Sequence, residues 1–359
     1  MKKVLSAIMA ACLFACVLTG CEKKPQSEKF NGSIWEDCFD TIVSVVSYNA
    51  SQEEFDKMME FTKSEFQRLH RLYDIYHNYP DLNNAKTIND NAGIAPVKVD
   101  KELFDLIKFG IDWHNKTDGK INIAMGSVLK IWHDVREDAE PVPPKLSDLQ
   151  AANEHTDINS IVLDEENLTV FITDPQVSID LGAVAKGYAT EIISKELAET
   201  YPSFAISAGG NVRVNGSPMD ERTRWGIGIQ NPVVDENYQM IGGNLDLAFL
   251  YGSQSLVCSG GYQRFFVYEG ERYHHLIDPV TLFPENIYYG VSILCEDSGV
   301  ADALSTAVFM MQPQQALDFI NGIDGAECIL VTVDGETFMT DGFKAYLQSC
   351  GVNGKTPIN

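Results

Sequence analysis

From residue 158 onward, the sequence consists mainly of short runs rich in β-branched and aromatic residues, separated by turn residues. Two such runs, 160–163 and 168–172, flank a polar tetrapeptide, and this pattern predicts a β-hairpin. Asp334 and Gly335 give a two-residue turn signal nearer the C-terminus. Because hairpins build antiparallel sheets and helical patterns interrupt them irregularly, the predicted fold class is α+β, with layered antiparallel sheets and interspersed helices.

Amphipathic helix patterns precede this region. Residues 51–73 place apolar side chains at spacings of three and four, and Ser51 with Glu54 matches a capping box. Residues 101–115 carry a second apolar stripe of this kind. The interval 138–157 contains three prolines and predicts a surface excursion. Further helices are expected over residues 186–200, 302–311 and 314–320.

Composition and charge limit the classes of partner. The 359 residues are 45% apolar and 22% charged, which is enough apolar material for one large core or two ordinary ones. Lys and Arg number 27 against 51 Asp and Glu, giving a formal net charge of -24. Such a field repels phosphate backbones, so no nucleic-acid partner is expected. A phosphorylated small ligand still fits where a bound cation or backbone N–H groups neutralise it locally.

The N-terminus has the pattern of a targeting segment. Lys2 and Lys3 precede an apolar run over residues 4–18, and the following Leu-Thr-Gly-Cys resembles a bacterial lipobox ending at Cys21. The resemblance implies cleavage before Cys21 and a diacylglycerol thioether on its sulfur. An ordinary secretory signal and a short membrane anchor are the alternatives.

The lipobox interpretation gives a domain plan and a location. We expect a signal peptide over residues 1–20, a tether over 21–34, one folded domain over 35–349, built as one or two subdomains, and a tail over 350–359. The mature protein is expected outside the cytoplasm, lipid-anchored to the cell membrane. Five cysteines then remain in an odd, scattered set that argues against a disulfide framework and a zinc site. They are Cys38, Cys258, Cys295, Cys328 and Cys350.

A first candidate for chemistry is the small-residue segment 180–189, which follows a predicted strand over 177–179 and opens a helix. Backbone N–H groups at a helix start favour an anion, and Lys186 adds a point charge. The alternative is an ordinary strand-to-helix turn with a solvated lysine.

A second candidate is His274-His275, which precedes Ile277-Asp278-Pro279 at the end of a strand. A histidine ring there could accept a proton near neutral pH, although a lone histidine is more often a satisfied structural group. A third candidate is the pair Asp302 and Thr306, which are four residues apart and share a helix face. Their oxygens suit Mg²⁺, whereas a helix cap is the simpler interpretation of the aspartate.

These segments, taken in order, resemble the ApbE family, the FAD:protein FMN transferases. The resemblance runs from about Trp35 to the last hairpin and includes smaller matches at other positions. These matches are Phe39-Asp40-Thr41, Tyr76, Ile88-Asn89 with Ala92-Gly93, Gly126 with Trp132, and residues 207–211 and 225–232.

The resemblance implies an ApbE-like, T-fold-like architecture and a reaction. FAD would be cleaved with Mg²⁺ or Mn²⁺, FMN would be esterified to a Thr or Ser of an exported partner protein, and AMP would be released. Asp302, Thr306 and the Ala183 carbonyl match the metal ligands, and His275 matches the base for the incoming hydroxyl. The FAD-contacting positions match Phe39, Tyr76, Lys120, Ile121, Asn122, Asp180, Lys186 and Ile277.

Three residues depart from the family pattern. Asn122 replaces a carboxylate near the expected FAD pocket, and Cys258 replaces a threonine, where a small thiol would mainly pack. Leu282 follows Thr281 where the family has glycine, so we expect a different loop geometry there, since leucine rarely adopts positive φ.

Two other functions remain open from the sequence. In one, water replaces the acceptor hydroxyl, and the protein is a Mg²⁺-dependent FAD pyrophosphatase that yields FMN and AMP. In the other, the protein is a lipoprotein that binds flavin without catalysis.

Overall fold

The computed structural model describes residues 27–358, and its main element is a sheet of eight strands. Three smaller sheets of two or three strands accompany it, and helices lie between the strands in sequence. The strands are β1 (Glu28–Cys38), β2 (Thr41–Asn49), β3 (Val97–Lys98), β4 (Ile161–Asp164), β5 (Thr169–Ile172), β6 (Phe204–Ala208), β7 (Asn211–Asn215), β8 (Trp225–Gln230), β9 (Asn244–Leu250), β10 (Gln254–Gly260), β11 (Phe265–Tyr268), β12 (Glu271–His274), β13 (Tyr288–Cys295), β14 (Glu327–Thr332) and β15 (Thr337–Met339).

The helices alternate irregularly with these strands. Short 3₁₀ segments at Ile158–Ser160, Gly342–Tyr346 and Gln348–Cys350 complete the regular structure. The α-helices are α1 (Gln52–Tyr73), α2 (Ala85–Asp90), α3 (Lys101–Lys116), α4 (Gly126–Arg136), α5 (Leu146–Asn153), α6 (Ala185–Ala198), α7 (Ser298–Phe309) and α8 (Pro313–Asn321).

The large sheet has the order β1-β2-β6-β7-β10-β13-β14-β15, and each neighbouring pair is antiparallel. Alternate residues of its strands enter two different cores, as the period of a strand requires. Ile206, Val257 and Ile293 pack with α1, α6 and α7, while Leu256 and Leu294 pack with the β8–β9 hairpin. The sheet is therefore the middle layer of three.

A smaller core joins α4 to the β11–β12 hairpin through Trp132, Phe266 and Ile277. This unit lies beside the large sheet and forms part of the cavity described below. Within residues 27–358, no helix is long and apolar enough to cross a bilayer. The predicted signal peptide and Cys21 fall outside the described residues.

Several predicted elements are confirmed. The predicted helix over 51–73 is α1, and the Ser51 side chain accepts a hydrogen bond from the Glu54 N–H at 3.3 Å. The Glu54 carboxylate completes the cap on the Ala50 N–H at 3.0 Å, one residue before the position expected for a capping box. The predicted hairpin is β4–β5, closed by residues 165–168.

Two predicted irregular segments, one near the N-terminus and one in the middle of the chain, contain regular structure. Residues 28–34, which we assigned to a tether, belong to edge strand β1, because Ile34 is buried and the strand pairs with β2. The excursion over 138–157 contains helix α5, whose Leu149 is fully buried. The prolines that suggested irregular structure end before this helix begins.

Two boundaries near the cavity also differ. Residues 177–179 do not form a strand; instead, the Asn89 side chain pairs with the backbone of Ile179, accepting from its N–H at 2.7 Å and donating to its carbonyl at 3.0 Å. Helix α7 begins at Ser298, four residues earlier than predicted, because Asp297 caps it by accepting from the Gly299 and Val300 N–H groups.

Candidate active site

A cavity of about 630 Å³ opens beside the large sheet. The residues that the sequence predicts for catalysis, flavin contact and metal binding all line this one cavity, although they come from separate parts of the chain. Their individual roles stay predictions, whereas their convergence is a structural fact. They are Phe39, Tyr76, Lys120, Ile121, Asn122, Asp180, Ala183, Lys186, His275, Ile277, Asp302 and Thr306.

The β1–β2 turn forms one wall. Phe39 and Asp40 both have positive φ, 55° and 51°, in a two-residue turn that usually contains Asn-Gly. Each such residue costs about 1–2 kcal/mol of backbone strain. The Phe39 N–H donates to His70 Nδ1 at 3.2 Å, and the Phe39 ring packs edge-on against the His70 ring at 5.4 Å. These contacts hold Phe39 at the cavity wall.

Tyr76 lies on a loop organised by Asp74, which is buried at the end of α1. The Asp74 carboxylate accepts from the Tyr76 N–H at 2.6 Å and from the Tyr79 hydroxyl at 2.9 Å. The Tyr76 ring is 54% exposed and lies 5.1 Å from the His133 ring. Partial burial and then Asp180 raise the pKa of Tyr76 to about 12, so the phenol is neutral. A half-exposed, neutral ring at the cavity suits a planar aromatic ligand.

Residues 120–122 combine one charge with two structural side chains. The Lys120 ammonium lies 3.4 Å from the Asp278 carboxylate. Ile121 is buried in the main core and reaches the cavity as an apolar wall. The Asn122 amide accepts from the Ala124 N–H and donates to the Thr156 carbonyl, both at 2.9 Å. The Asn122 amide thus stabilises the loop, at the position where the family usually has a carboxylate.

The loop after Pro279 corrects the expectation drawn from Leu282. Leu282 adopts φ +64°, the left-handed conformation that glycine favours, and its side chain is buried beside Trp132. The Trp132 indole N–H donates to the Leu282 carbonyl at 2.9 Å. The Asp278 carboxylate holds the same loop by accepting from the Val280 and Thr281 N–H groups. Burial and these hydrogen bonds offset the backbone strain, so the left-handed position is kept without glycine.

The turn before α6 presents Asp180 to the cavity. Asp180 accepts from the Gly182 N–H at 2.8 Å, and its own N–H donates to the Ile123 carbonyl at 2.8 Å. Burial raises the pKa of the Asp180 carboxyl, and the Gly182 N–H, His133 and Arg136 partly oppose that rise. Ile277 forms an apolar wall of the same cavity and packs in the core around Trp132.

Asp302 lies where α7 approaches the start of α6. Its carboxylate is 2% exposed, accepts from the Gly187 N–H at 2.8 Å and lies 3.6 Å from the Lys186 ammonium. The cap of α7 is Asp297, so Asp302 is not the cap that the simpler interpretation proposed. Gly187 is the third residue of α6, where a backbone N–H has no acceptor inside the helix, and Asp302 supplies that acceptor.

The oxygens of Asp302, Thr306 and Ala183 fit a small hard cation. Across residues 27–358, the Ala183 carbonyl accepts no hydrogen bond and the Thr306 hydroxyl has no hydrogen-bond partner, while both residues line the cavity with Asp302. In that same described part, no group of three or more His, Cys, Asp or Glu side chains could hold a metal. Mg²⁺ needs no such group, since it is usually held by one or two carboxylates together with substrate phosphates.

The two adjacent histidines have different roles. His274 is 2% exposed; its Nε2 donates to the Glu285 carbonyl at 2.8 Å and its Nδ1 accepts from the Leu276 N–H at 3.1 Å. Both ring nitrogens are used, so His274 is structural. His275 lines the cavity, and its buried Nδ1 has no hydrogen-bond partner within the described chain. Burial, then His274, Arg264, Arg136 and Lys186 lower the pKa of His275 to about 3, so its ring is neutral in the free protein.

Cys258 lines the cavity with its thiol 3.0 Å from the Ser292 hydroxyl. Burial raises the pKa of this thiol, which keeps it protonated and unreactive near neutral pH. The packing role expected from the sequence is consistent with this environment.

A sequence model of the ApbE family matches residues 39–330 of the chain. The chain belongs to the ApbE family. The matched segment contains every residue that lines the cavity, from Phe39 to Met310. The family prediction made from the motifs is therefore confirmed.

Relatives and solved structures agree with this assignment. The chain is 29% identical over 285 residues to the FAD:protein FMN transferase of Klebsiella pneumoniae, covering 75% of this chain and 84% of that protein. It is 31% identical over 261 residues to the FAD:protein FMN transferase of Treponema pallidum, covering 69% and 70%. The ApbE protein of Thermotoga maritima superposes with a TM-score of 0.78 at 28% identity, covering 89% of this chain and 99% of that one. The α+β prediction is thus confirmed.

The flavin transferase ApbE of Vibrio cholerae has a TM-score of 0.75 at 20% identity, covering 89% of this chain and all of that one, which supports the same fold.

Four basic side chains of this ApbE-family cavity belong to no motif in the sequence. His70, His133, Arg136 and Arg264 line it together with the predicted Lys120 and Lys186. Arg136 ends α4, and Arg264 lies 3.7 Å from Asp40 of the strained turn. The spacing of the motifs gave no signal for these residues, because α4 and the β11–β12 hairpin meet only in the folded chain. Four Lys and Arg side chains and four carboxylates (Asp40, Asp74, Asp180 and Asp302) line the cavity, so it is balanced in charge although the chain as a whole is at -24.

Proposed function

We propose that this ApbE-family protein is an FAD:protein FMN transferase acting on an exported protein. The acceptor Thr or Ser oxygen attacks the FMN phosphorus of FAD, the bond from that phosphorus to the bridging oxygen breaks, and AMP leaves with that oxygen. The proton of the acceptor hydroxyl passes to a base. The observation that carries the proposal is that the unpartnered Nδ1 of His275 and the oxygens of Asp302, Thr306 and Ala183 share one cavity.

His275 is proposed as that base. Its ring is neutral, and Nδ1 has no protein partner to compete for the incoming proton. A positioned base typically contributes about 10²- to 10⁴-fold to such a reaction. His274, the preceding residue, helps to hold His275 in place, because its two hydrogen bonds fix the end of β12.

We propose that Asp302, Thr306 and the Ala183 carbonyl hold Mg²⁺, or Mn²⁺ in its place. When bound, the ion neutralises pyrophosphate oxygens and so lowers the barrier to phosphoryl transfer. Lys186 lies beside Asp302 and supplies a second positive charge on the same side of the cavity. Phe39, Tyr76, Ile121 and Ile277 give apolar surface for the flavin, and Asp180, Lys120 and Asn122 give polar contacts to FAD.

We also propose that Cys21 carries a lipid anchor, which would hold the enzyme at the outer side of the cell membrane. The support is the lipobox pattern and the charged residues before it. The acceptor would then be a protein on the same side of the membrane.

Mass spectrometry tests the proposed reaction. The full chain is incubated with FAD, Mg²⁺ and a candidate exported acceptor, with a Thr→Val or Ser→Ala acceptor as control. We expect the mass of an FMN phosphoester on the unaltered acceptor only, with AMP in equal amount. Free FMN and AMP without a labelled protein would instead identify a pyrophosphatase. FAD that stays intact for hours at saturating Mg²⁺ would identify a binding protein.

A further inference from the structure

Four long cationic side chains line the cavity, and three of them face a carboxylate at close range. A carboxylate at this distance neutralises much of a lysine or arginine charge and occupies part of its hydrogen-bonding capacity. These pairs are Lys120–Asp278 at 3.4 Å, Lys186–Asp302 at 3.6 Å and Arg264–Asp40 at 3.7 Å.

Arg136 is the fourth cation, and its charge is the least neutralised. Its one acidic neighbour within 4 Å in the described chain is Glu137, 3.9 Å away and 67% exposed to solvent. The Arg136 side chain itself is 22% exposed. A partly shielded guanidinium with no close carboxylate can gain charge-assisted hydrogen bonds from an anionic ligand.

A hydrogen bond to His133 nevertheless fixes the orientation of the Arg136 guanidinium. Its Nη2 donates to Nδ1 of His133 at 3.1 Å, and this is the one hydrogen bond it makes to residues 27–358. His133 in turn lies against the Tyr76 ring. A guanidinium has five N–H donors in a planar fork, so most of them remain for a ligand. Arg136 also opposes the burial-driven rise in the pKa of Asp180 and lowers the pKa of His275, which shows that its field reaches both of them.

We propose that Arg136 binds a phosphate group of the dinucleotide, on the side of the cavity where His133 and Tyr76 lie. This inference rests on the proposed function, since it takes FAD as the ligand. Guanidinium groups match phosphate oxygens with two parallel hydrogen bonds, which makes arginine well suited to this contact. His133 is a positioning residue that holds the fork in place.

The test compares three flavins that differ in phosphate content: riboflavin, FMN and FAD. Equilibrium affinities are measured by flavin fluorescence with the full chain at low salt. Arg136→Gln removes the charge but keeps an amide donor for His133. We expect it to weaken FMN and FAD binding by about tenfold or more and to change riboflavin binding by less than about twofold. Arg136→Lys, which keeps the charge, should restore much of the difference.

Arg68→Gln is the matched control, because Arg68 pairs with Glu65 and Glu102 at 2.9 Å on the outer surface of α1 and does not line the cavity. It should leave all three affinities unchanged. Equal losses for riboflavin and FAD in Arg136→Gln, or no loss for FMN and FAD, would overturn the inference. Thermal melting verifies folding, and Arg136→Met, which also removes the charge, tests the same ligand difference if Arg136→Gln does not fold. FMN transfer by the wild type is measured separately, so failure of the proposed function is distinguishable from failure of this contact.

Discussion

The carboxylate of Asp302 accepts a 2.8 Å hydrogen bond from the Gly187 N–H because glycine lets α6 approach α7 at this point. A Cβ on Gly187 would lie 2.3 Å from the Ser298 carbonyl oxygen and 2.4 Å from the Asp302 Cβ. The hydrogen bond and the close approach together place the proposed metal ligand at the cavity.

Gly187→Ala should therefore force the two helices apart. We expect a loss of about 1–3 kcal/mol in the free energy of unfolding and a fall in FMN transfer. Urea unfolding and the transfer assay measure the two effects. Gly322→Ala is the control, since a Cβ there would lie 3.3 Å from its nearest neighbour, the Phe319 carbonyl oxygen. This variant should change the free energy of unfolding by less than about 1 kcal/mol. Equal stability of the two variants would contradict the packing argument.

Removing the divalent ion should stop the reaction. A chelator is expected to abolish FMN transfer, and added Mg²⁺ or Mn²⁺ should restore it. Asp302→Asn should lower the rate by about 100-fold or more at the same metal concentration, because a neutral amide is a poor Mg²⁺ ligand. Asp134→Asn, which removes a surface carboxylate paired with Lys130, is the matched control and should keep full activity. Chelator-resistant transfer would refute the metal assignment.

His275→Ala should slow FMN transfer by about 10²- to 10⁴-fold while leaving FAD affinity nearly unchanged, since the base acts on the acceptor proton. Single-turnover rates and flavin binding separate these quantities. Because the pKa of His275 is lowered to about 3, the free enzyme keeps this ring unprotonated down to about pH 4. The profile of kcat/KM against pH should then show no acidic limb from His275 near pH 6.5. A limb there that disappears in His275→Ala would contradict this assignment.

His274 links stability to pH. Burial and then Arg272 lower its pKa from 6.5 to about 4 in the folded state. Between these values the unfolded chain binds more protons than the folded one, so the free energy of unfolding falls as pH drops from about 6.5 to 4, by on the order of 3 kcal/mol. His274→Gln keeps one donor and one acceptor but does not titrate. Urea unfolding of this variant should show a correspondingly smaller decline over that range, and an identical pH dependence would disprove the linkage.

At Leu282, a glycine variant should be more stable than an alanine variant, which is the reverse of the usual order. Both substitutions remove the buried side chain, but only glycine relieves the strain of φ +64°. We expect Leu282→Gly to be about 0.5–1 kcal/mol more stable than Leu282→Ala. At Leu149, inside helix α5, the same two substitutions should follow the ordinary order, with alanine the more stable. Denaturant unfolding of the four variants measures these free energies of unfolding. A Leu282→Ala variant more stable than Leu282→Gly would contradict the argument that the backbone is strained at this site.

Local patterns predicted much of the fold. The apolar spacing of α1 and the turn residues of β4–β5 are properties of contiguous sequence, and both elements were found as expected. Residues 177–179 have the apolar pattern of a strand but do not form one, because the Ile179 backbone pairs with the Asn89 side chain and the Ser178 carbonyl accepts from the Gly126 N–H. The apolar pattern of these residues does not show that distant parts of the chain, rather than a neighbouring strand, bond their backbone.

The candidate site divides in the same way. Residues inside recognisable motifs, such as His275 and Asp302, were predicted and line the cavity. Arg136 was missed, since nothing in the end of an amphipathic helix tells which surface cation will face a cavity. The left-handed Leu282 was also missed, because its strain is offset by burial beside Trp132, a tertiary contact.

The walls of the cavity are supplied by residues from Phe39 to Met310, with α7 contributing Asp302 and Thr306. The cavity is therefore complete only when the chain extends through this late helix. A polypeptide that stops before Ser298 would accordingly lack two of the three proposed metal ligands.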